Sequence, residues 1–217
     1  MTWTLVVPVK VVSLAKTRLA GDLDPGERVA LVRAMVLDTL AAACATSAVS
    51  RVLVVTDDQQ VVTDLRATHT ARVGIVPEPV PAQGLNAAIR AGIAHARSTA
   101  PVPVAVLLGD LPALRPEDLD AALLAASRHA LGVVVDADGT GTTLLTAAAG
   151  VELIPAFGVG SAAEHRRRGH VELDVPVRSG LRHDVDVLTD LVAVAALGPG
   201  PRTAEVLAGL VGRLAGV

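Results

Sequence analysis

Acidic residues occur at two points of the chain where they could meet. Asp110 follows Gly109 at the end of the aliphatic run in VAVLLGDLPAL, residues 104–114, and RHDVD carries Asp184 and Asp186. Aspartate is also a common turn former and helix N-cap, so each segment has a purely structural explanation. Carboxylates from separate loops that converge on one point are, however, the usual protein ligands of Mg²⁺ beside substrate phosphates. We therefore predict that Asp110, Asp184 and Asp186 form a Mg²⁺ site.

A cationic segment follows the first aliphatic run and would complete such a site. VKVVSLAKTRLAGDL carries Lys10, Lys16 and Arg18 within nine residues. A single surface lysine is usually only solvated, but three cations at the end of one strand favour a clamp for a triphosphate. Lys16 and Arg18, with Asp110, are the predicted catalytic residues.

Other catalytic signatures are missing from the sequence. It contains no G-x-x-x-x-G-K-[ST] loop and no G-x-S-x-G elbow, and its histidines lack zinc-binding spacing. GTGTTL, residues 139–144, follows a late strand and does not open a helix, which makes it a poor dinucleotide-binding fingerprint. The carboxylates and cations remain as the main chemical signal.

The composition limits the class of protein. A length of 217 residues fits one domain or at most two, and 51% hydrophobic residues are ample for a core. A net charge of -3, with one Phe, one Trp and no Tyr, argues against a nucleic-acid partner. The single cysteine excludes an internal disulfide, and no apolar run is long enough to span a membrane. We expect a soluble, cytoplasmic protein.

Short aliphatic runs alternate with amphipathic segments, which is the pattern of an α/β fold. The predicted strands are 4–9, 51–56, 71–77, 104–109, 132–137, 141–148 and 170–176. The predicted helices are 25–45, 58–69, 85–98, 116–129, 161–169, 185–197 and 203–216. Near-continuous Val and Leu strands predict a mainly parallel, twisted sheet with helices on both faces and a small β-excursion after Gly139. We expect a single domain over residues 1–217.

Several motifs in a fixed order carry a family resemblance. They are AKTRL, LN at 85–86, GDLPAL, GTGT, FGVGSAAEHRRRG and LRHDVD followed by TDL. The set covers essentially the whole chain and resembles the guanylyltransferases of deazaflavin coenzyme F-420 biosynthesis, within the MobA-like nucleotide-diphospho-sugar transferase fold. AKTRL combined with GTGT and FG-x-x-S is its most specific part.

The resemblance implies a reaction in which a small phosphorylated three-carbon acid attacks the α-phosphorus of GTP and pyrophosphate leaves, with Mg²⁺ as cofactor. In the bacterial branch the acid is phosphoenolpyruvate, and in the archaeal branch it is 2-phospho-L-lactate. The composition, rich in Ala, Val and Arg and poor in Lys, favours an actinobacterial source and hence phosphoenolpyruvate.

The resemblance also assigns site residues. It implies that Thr142, Gly158 and Ser161 contact the acid, and that Asp110 and Asp184 bind the metal, with Asp186 as an alternative ligand. Ser161 also opens a predicted helix, whose free N–H groups suit an anion. The nucleotide is expected against the 10–18 segment and the start of a helix, at Lys10, Lys16, Leu85, Asn86 and Gly109. For Asn86, an ordinary helix start is an equal alternative.

Three alternatives stay open. The acid could be 2-phospho-L-lactate, or the protein could be another MobA-like nucleotidyltransferase, although KVVSLAKTRLA replaces the Gly-rich GGxSxRMGxDK loop of molybdopterin guanylyltransferases. A non-catalytic nucleotide-binding protein is the third, against which the presence of all the predicted acids and of Lys16 argues. Whether the protein is a monomer or a homodimer is also open.

Overall fold

Strands and helices alternate along the chain as the sequence predicts. The computed structural model describes residues 1–12, 16–21, 23–68, 72–80 and 83–214. The strands are β1 (Trp3–Pro8), β2 (Val49–Val55), β3 (Val73–Val76), β4 (Val104–Leu107), β5 (Leu131–Val135), β6 (Thr142–Ala147) and β7 (Val171–Glu172). The helices are α1 (Pro25–Ala45), α2 (Gln59–Thr68), α3 (Leu85–Ala96), α4 (Pro116–Ala126), α5 (Ser161–Arg167), α6 (Leu188–Leu197) and α7 (Pro201–Leu214). Thr17–Gly21 and Gly180–Arg182 form single 3-10 turns.

All of these strands belong to one sheet in the order β3-β2-β1-β4-β6-β5-β7. β1 pairs in parallel with β2 and β4, and β5 pairs in parallel with β7, whereas β6 runs antiparallel to both β4 and β5. This confirms the predicted mainly parallel sheet and its excursion after Gly139. Because β6 runs in the opposite direction, its first residue lies at the same sheet edge as the last residues of β4.

Each central strand is buried on both sides. Leu5 and Val7 of β1 pack into one core with α1, α2, α4 and α6, and Val6 packs into a second core with α3 and the segment 151–157. Such double burial explains why these strands are continuous aliphatic runs in the sequence. In the described part of the chain, no helix combines the length and apolar character needed to cross a bilayer.

Several element boundaries differ from the prediction. The predicted strand 170–176 is reduced to Val171–Glu172 at the edge of the sheet, where Leu173 donates one further N–H to Val133 O at 2.8 Å. Pro176 has no N–H to continue the ladder. The helix predicted from 185 begins at Leu188, because the carboxylate of Asp190 accepts the N–H groups of residues 186 and 187 and so caps the helix. Positions 13–15, 69, 71 and 215–216 of the predicted segments lie outside the described residues.

Gly180 brings the late acidic segment against the end of β4. A Cβ atom at this position would lie 1.9 Å from the carbonyl oxygen of Ala113, so only glycine permits this backbone contact. Beyond the 3-10 turn, Val185 donates its N–H to Asp110 O at 3.3 Å. The chain direction of residues 184–186 therefore depends on close packing at Gly180.

Replacing Gly180 with alanine is expected to destabilise the protein by roughly 1–3 kcal/mol or more, because a rigid backbone must move. Gly209→Ala is the matched control, since Gly209 lies in α7 and no atom of the described residues is within 4 Å of an added Cβ. The control should gain up to about 1 kcal/mol from helix propensity. Urea unfolding measures both values, and equal effects from the two substitutions would contradict the packing role of Gly180.

Candidate active site

Three carboxylates meet at the carboxyl end of β4. Asp110, Asp184 and Asp186 each offer an oxygen such that these atoms all lie within 4.8 Å of one another, and all three residues are half-buried. We call this group the carboxylate cluster. The structure thus brings together the acids that the sequence predicted as metal ligands. Asp190, rather than Asp184 or Asp186, caps α6, so the capping explanation for the DVD segment is wrong.

The ammonium group of Lys16 lies inside the carboxylate cluster. Its Nζ donates to Asp110 Oδ2 and, at 2.5 Å, to Asp186 Oδ1. Burial alone would lower the pKa of Lys16, but the two carboxylates outweigh it and the pKa is raised. Lys16 is therefore charged and acts as the internal counter-ion of the cluster. Its backbone has a positive φ of 52°, which is uncommon outside glycine.

Asp184, the third carboxylate of the cluster, is not neutralised by Lys16 in the same way. Burial, with the nearby Asp110 carboxylate, raises the pKa of Asp184 to about 7. The second oxygen of Asp110, Oδ1, is buried and has no hydrogen-bond partner among the residues that the structure describes. A buried carboxylate oxygen without a donor is costly, and an all-oxygen donor set suits Mg²⁺. The cluster therefore fits a divalent metal ion.

The predicted contacts of the acid form a second group beside the cluster. The β4–β6 register pairs Leu107 with Leu144, and Leu108 donates to Thr143 O at 3.0 Å, so Thr142 lies one step further, next to Gly109. Thr142 and Ser161 are both buried, and their hydroxyl oxygens are 3.3 Å apart. We call Thr142, Gly158 and Ser161 the acid site.

One backbone contact brings the start of α5 to the GTGT turn, and a second closes the turn that precedes the helix. Ala162 donates its N–H to Thr140 O at 3.1 Å, and Ser161 donates to Gly158 O at 3.1 Å. The expectation of free N–H groups at this helix start is therefore wrong for these two residues, and the side-chain hydroxyls are what the acid site offers. Asp136 holds the turn by accepting the N–H groups of Thr140 and Gly141 at 2.9 and 2.7 Å.

A histidine lies beneath the two hydroxyls. The ring of His165 is fully buried, with Nδ1 2.9 Å from Thr142 Oγ1 and Nε2 accepting the Ala156 N–H at 3.0 Å. Burial, aided by His170 and Arg168 and opposed by Glu164, lowers the pKa of His165 to about 4. The imidazole is therefore neutral at pH 7.

The basic run that follows does not face the acid site. Arg166 pairs with Glu172, at 2.6 Å, and Arg167 and Arg168 both pair with Glu164. All three arginines therefore pair with glutamates on α5 and β7.

The predicted nucleotide residues lie around the same sheet edge. Lys10 is exposed just after β1, Gly109 is buried between β4 and Asp110, and Leu85 is exposed at the first position of α3. Arg18 Nη1 lies 3.7 Å from Asp186 Oδ2, at the solvent side of the cluster. The nucleotide-binding role of these residues stays a prediction.

Asn86 has a structural contact that the sequence did not indicate. Its Nδ2 donates to Phe157 O at 2.9 Å, and its Oδ1 accepts the Phe157 N–H at 2.8 Å. The side chain thus fixes the segment that precedes Gly158. A contact with the guanine base would have to use the second proton or lone pairs of this amide, and it stays a prediction.

A family comparison places the chain among known proteins. A model described as "Guanylyl transferase CofC like" matches residues 3–210. The chain belongs to the CofC-like guanylyl transferase family. Members of this family transfer a nucleotidyl group, so the chain is a nucleotidyltransferase.

CofC-like relatives match along nearly the whole length. A phosphoenolpyruvate guanylyltransferase of Sanguibacter keddieii is 63% identical, covering 95% of this chain and 84% of its own length. One of the same name from Streptomyces scabiei is 49% identical, covering 97% of this chain and 98% of its own length.

Solved structures share the CofC-like fold at low sequence identity. A Desulfovibrio desulfuricans protein named as a nucleotide-diphospho-sugar transferase aligns with a TM-score of 0.73 at 17% identity, covering 96% of this chain and 95% of that one. A CMP:2-keto-3-deoxy-manno-octonic acid synthetase, solved with CTP, aligns with a TM-score of 0.53 at 14% identity, covering 91% and 98%. These confirm the fold.

Two residues that support the acid site of this CofC-like chain, His165 and Asp136, were not among the predicted site residues. His165 lies four positions after Ser161, and i, i+4 spacing places both on one helix face. The spacing of Ser161 and His165 could therefore have been recognised in the sequence. Asp136 follows β5, immediately before a Gly-rich turn, where an aspartate commonly accepts backbone N–H groups.

The buried His165 predicts an acid-labile fold. Between pH 6.5 and 4 the His165 ring binds a proton in the unfolded chain but stays neutral in the folded chain. The free energy of unfolding therefore decreases as the pH falls through this window. The loss should reach roughly 3 kcal/mol by pH 4. His165→Gln lacks the titrating ring, so its urea unfolding free energy should depend less on pH over this window than that of the wild type. Parallel curves for the two proteins would contradict a buried neutral imidazole.

Proposed function

We propose that this chain joins GTP to phosphoenolpyruvate, giving enolpyruvyl-diphospho-5'-guanosine and pyrophosphate, as a cytoplasmic step of coenzyme F-420 biosynthesis. The observation that carries the proposal is the placement of the carboxylate cluster, with Lys16, directly beside the acid site at one sheet edge. The names of the relatives in Sanguibacter and Streptomyces, at 63% and 49% identity, support the choice of acid.

The reaction needs no covalent enzyme intermediate. A phosphate oxygen of phosphoenolpyruvate, already ionised at neutral pH, attacks the α-phosphorus of GTP. A new P–O bond forms while the bond from the α-phosphorus to the bridging oxygen breaks, and pyrophosphate leaves with the electron pair. The protein has to hold two anions in line and balance their charge.

The acid site supplies the positioning of the first substrate. The hydroxyls of Thr142 and Ser161 would donate to the phosphate or carboxylate oxygens, and Gly158 lets the substrate approach the backbone. A three-carbon acid offers little apolar surface, so these polar contacts must provide most of the discrimination.

The carboxylate cluster and its cations supply the charge balance. Asp110, Asp184 and Asp186 would hold Mg²⁺, which neutralises phosphate oxygens when it is bound. Lys16 and Arg18 add positive charge on the same side as the triphosphate. Lys10, Leu85, Asn86 and Gly109 would line the nucleotide.

Pyrophosphate release tests the proposal directly. The protein is incubated with Mg²⁺ and GTP, ATP, CTP or UTP, together with phosphoenolpyruvate or 2-phospho-L-lactate. Pyrophosphate is expected with GTP and phosphoenolpyruvate above all other pairs. A preference for 2-phospho-L-lactate would mean that this compound is the acid substrate. Absence of pyrophosphate with every pair would contradict the proposal that the protein is an active transferase.

Removing one hydroxyl of the acid site should affect one substrate only. Ser161→Ala is expected to raise the KM for phosphoenolpyruvate about ten- to a hundredfold, because a hydrogen bond to a charged group is lost, with little change in the KM for GTP. Ser127→Ala is the matched control, since the Ser127 hydroxyl donates to Leu124 O at the end of α4, outside the acid site. A larger effect on GTP than on the acid would mean that the two halves of the site are reversed.

A further inference from the structure

His165 touches the acid site without belonging to the proposed contacts of the acid. Its ring lies between Thr142 Oγ1, 2.9 Å from Nδ1, and the backbone N–H of Ala156, 3.0 Å from Nε2. Full burial of a histidine is unusual unless both nitrogens have partners. The two partners here differ in kind, since a backbone N–H can only donate whereas a hydroxyl can donate or accept.

The Ala156 N–H decides which nitrogen of His165 carries the proton. Nε2 has to present a lone pair to this donor, so Nε2 is unprotonated. Burial keeps the ring neutral at pH 7 by lowering its pKa to about 4. A neutral imidazole has one N–H, which must then be on Nδ1. His165 therefore donates from Nδ1 to the hydroxyl oxygen of Thr142.

This donation fixes the direction of the Thr142 hydroxyl. A hydroxyl has one proton to give, and an oxygen that already accepts from His165 directs its own proton to another acceptor. Ser161 Oγ donates to Thr142 Oγ1 at 3.3 Å, a long distance for an O–H···O bond, so it does not take the Thr142 proton. An anionic oxygen of a substrate is a better acceptor than this hydroxyl.

Packing keeps the ring of His165 in place. Phe157 meets it edge to face, with ring centroids 5.3 Å apart, and His170 lies on another side with centroids 5.4 Å apart. Asn86 fixes the backbone of Phe157 through two hydrogen bonds. The segment that carries the Ala156 N–H is therefore held in place. The ring of His165 cannot flip without losing its contacts with both Ala156 and Thr142.

We propose that His165 is a positioning residue that, as the Nδ1–H tautomer, makes the Thr142 hydroxyl a donor to the anionic three-carbon acid. The inference rests on the proposed function, because it takes Thr142 as a contact of that acid. His165 does not touch the substrate and transfers no proton in the reaction.

The tautomer itself is measured by long-range ¹H–¹⁵N correlation spectra of the uniformly labelled protein. The spectra are recorded at pH 7 and assigned with His165→Gln. We expect a proton on Nδ1 and an unprotonated Nε2. A proton on Nε2, or a charged ring, would overturn the proposal whatever the activity of the protein.

Two substitutions separate positioning from structural support. Asparagine places its amide near the position of Nδ1 and can still donate to Thr142, whereas glutamine reaches the position of Nε2 and can only accept from Ala156. His165→Gln should raise the KM for phosphoenolpyruvate roughly three- to tenfold, with little change for GTP, and His165→Asn should restore most of the loss. A purely structural role predicts the reverse order, since asparagine leaves the Ala156 N–H without an acceptor.

Coupling to Thr142 completes the test. His165→Gln should have no further effect on the KM for phosphoenolpyruvate when Thr142 is already valine, because the path through the hydroxyl is gone. His129→Gln, at a half-buried histidine that follows α4, is the control for a histidine-to-glutamine change and should leave that KM unchanged. Additive losses in the double variant, or a glutamine variant no worse than asparagine, would overturn the positioning role while leaving the proposed function intact. A wild-type protein that releases no pyrophosphate from GTP and phosphoenolpyruvate would overturn both.

Discussion

The balance of charge at the carboxyl end of β4 is the constraint on which the site depends. Asp110, Asp184 and Asp186 lie so close together that their oxygens are within 4.8 Å, and the ammonium of Lys16 lies among them. One partly buried cation does not neutralise three carboxylates, and burial together with the nearby Asp110 carboxylate raises the pKa of Asp184 to about 7. Oδ1 of Asp110, buried and without a hydrogen-bond partner in the described part of the chain, is a second sign of a deficit of positive charge. A divalent ion would remove the deficit, and phosphates would then complete its ligands.

The topology explains why the acid site lies beside this cluster. β6 is antiparallel to its neighbours, so it begins where β4 ends. The register between β4 and β6 places Thr142 next to Gly109. The close contact of Gly180 with Ala113 brings in the acids that precede α6. Hydrogen bonds from Ala162 to Thr140 and between Asp136 and the GTGT turn then attach α5 to the same edge. These contacts hold residues that are far apart in sequence together at one edge of the sheet.

The sequence predicted the sheet and the meeting of the three acids because aliphatic periodicity and residue type report on burial and chemistry. It could not predict that Lys16 bridges Asp110 and Asp186, since a long flexible side chain can reach either phosphate or carboxylate. It also missed the role of Asp190 as the cap of α6, because three aspartates within seven residues compete for that position. The use of Asn86 to brace Phe157 and of Glu164 to bind two arginines depends on tertiary contacts that no local pattern encodes.

The most direct test of the two-part site is a crystal structure of the protein with Mn²⁺ and phosphoenolpyruvate, in which anomalous scattering locates the metal. The result we predict is a metal peak coordinated by Asp110 and by Asp184 or Asp186, with an oxygen of the acid within hydrogen-bond distance of the Thr142 and Ser161 hydroxyls. A metal bound elsewhere, with Lys16 still bridging Asp110 and Asp186, would contradict it. An acid bound away from Thr142 and Ser161 would contradict it equally.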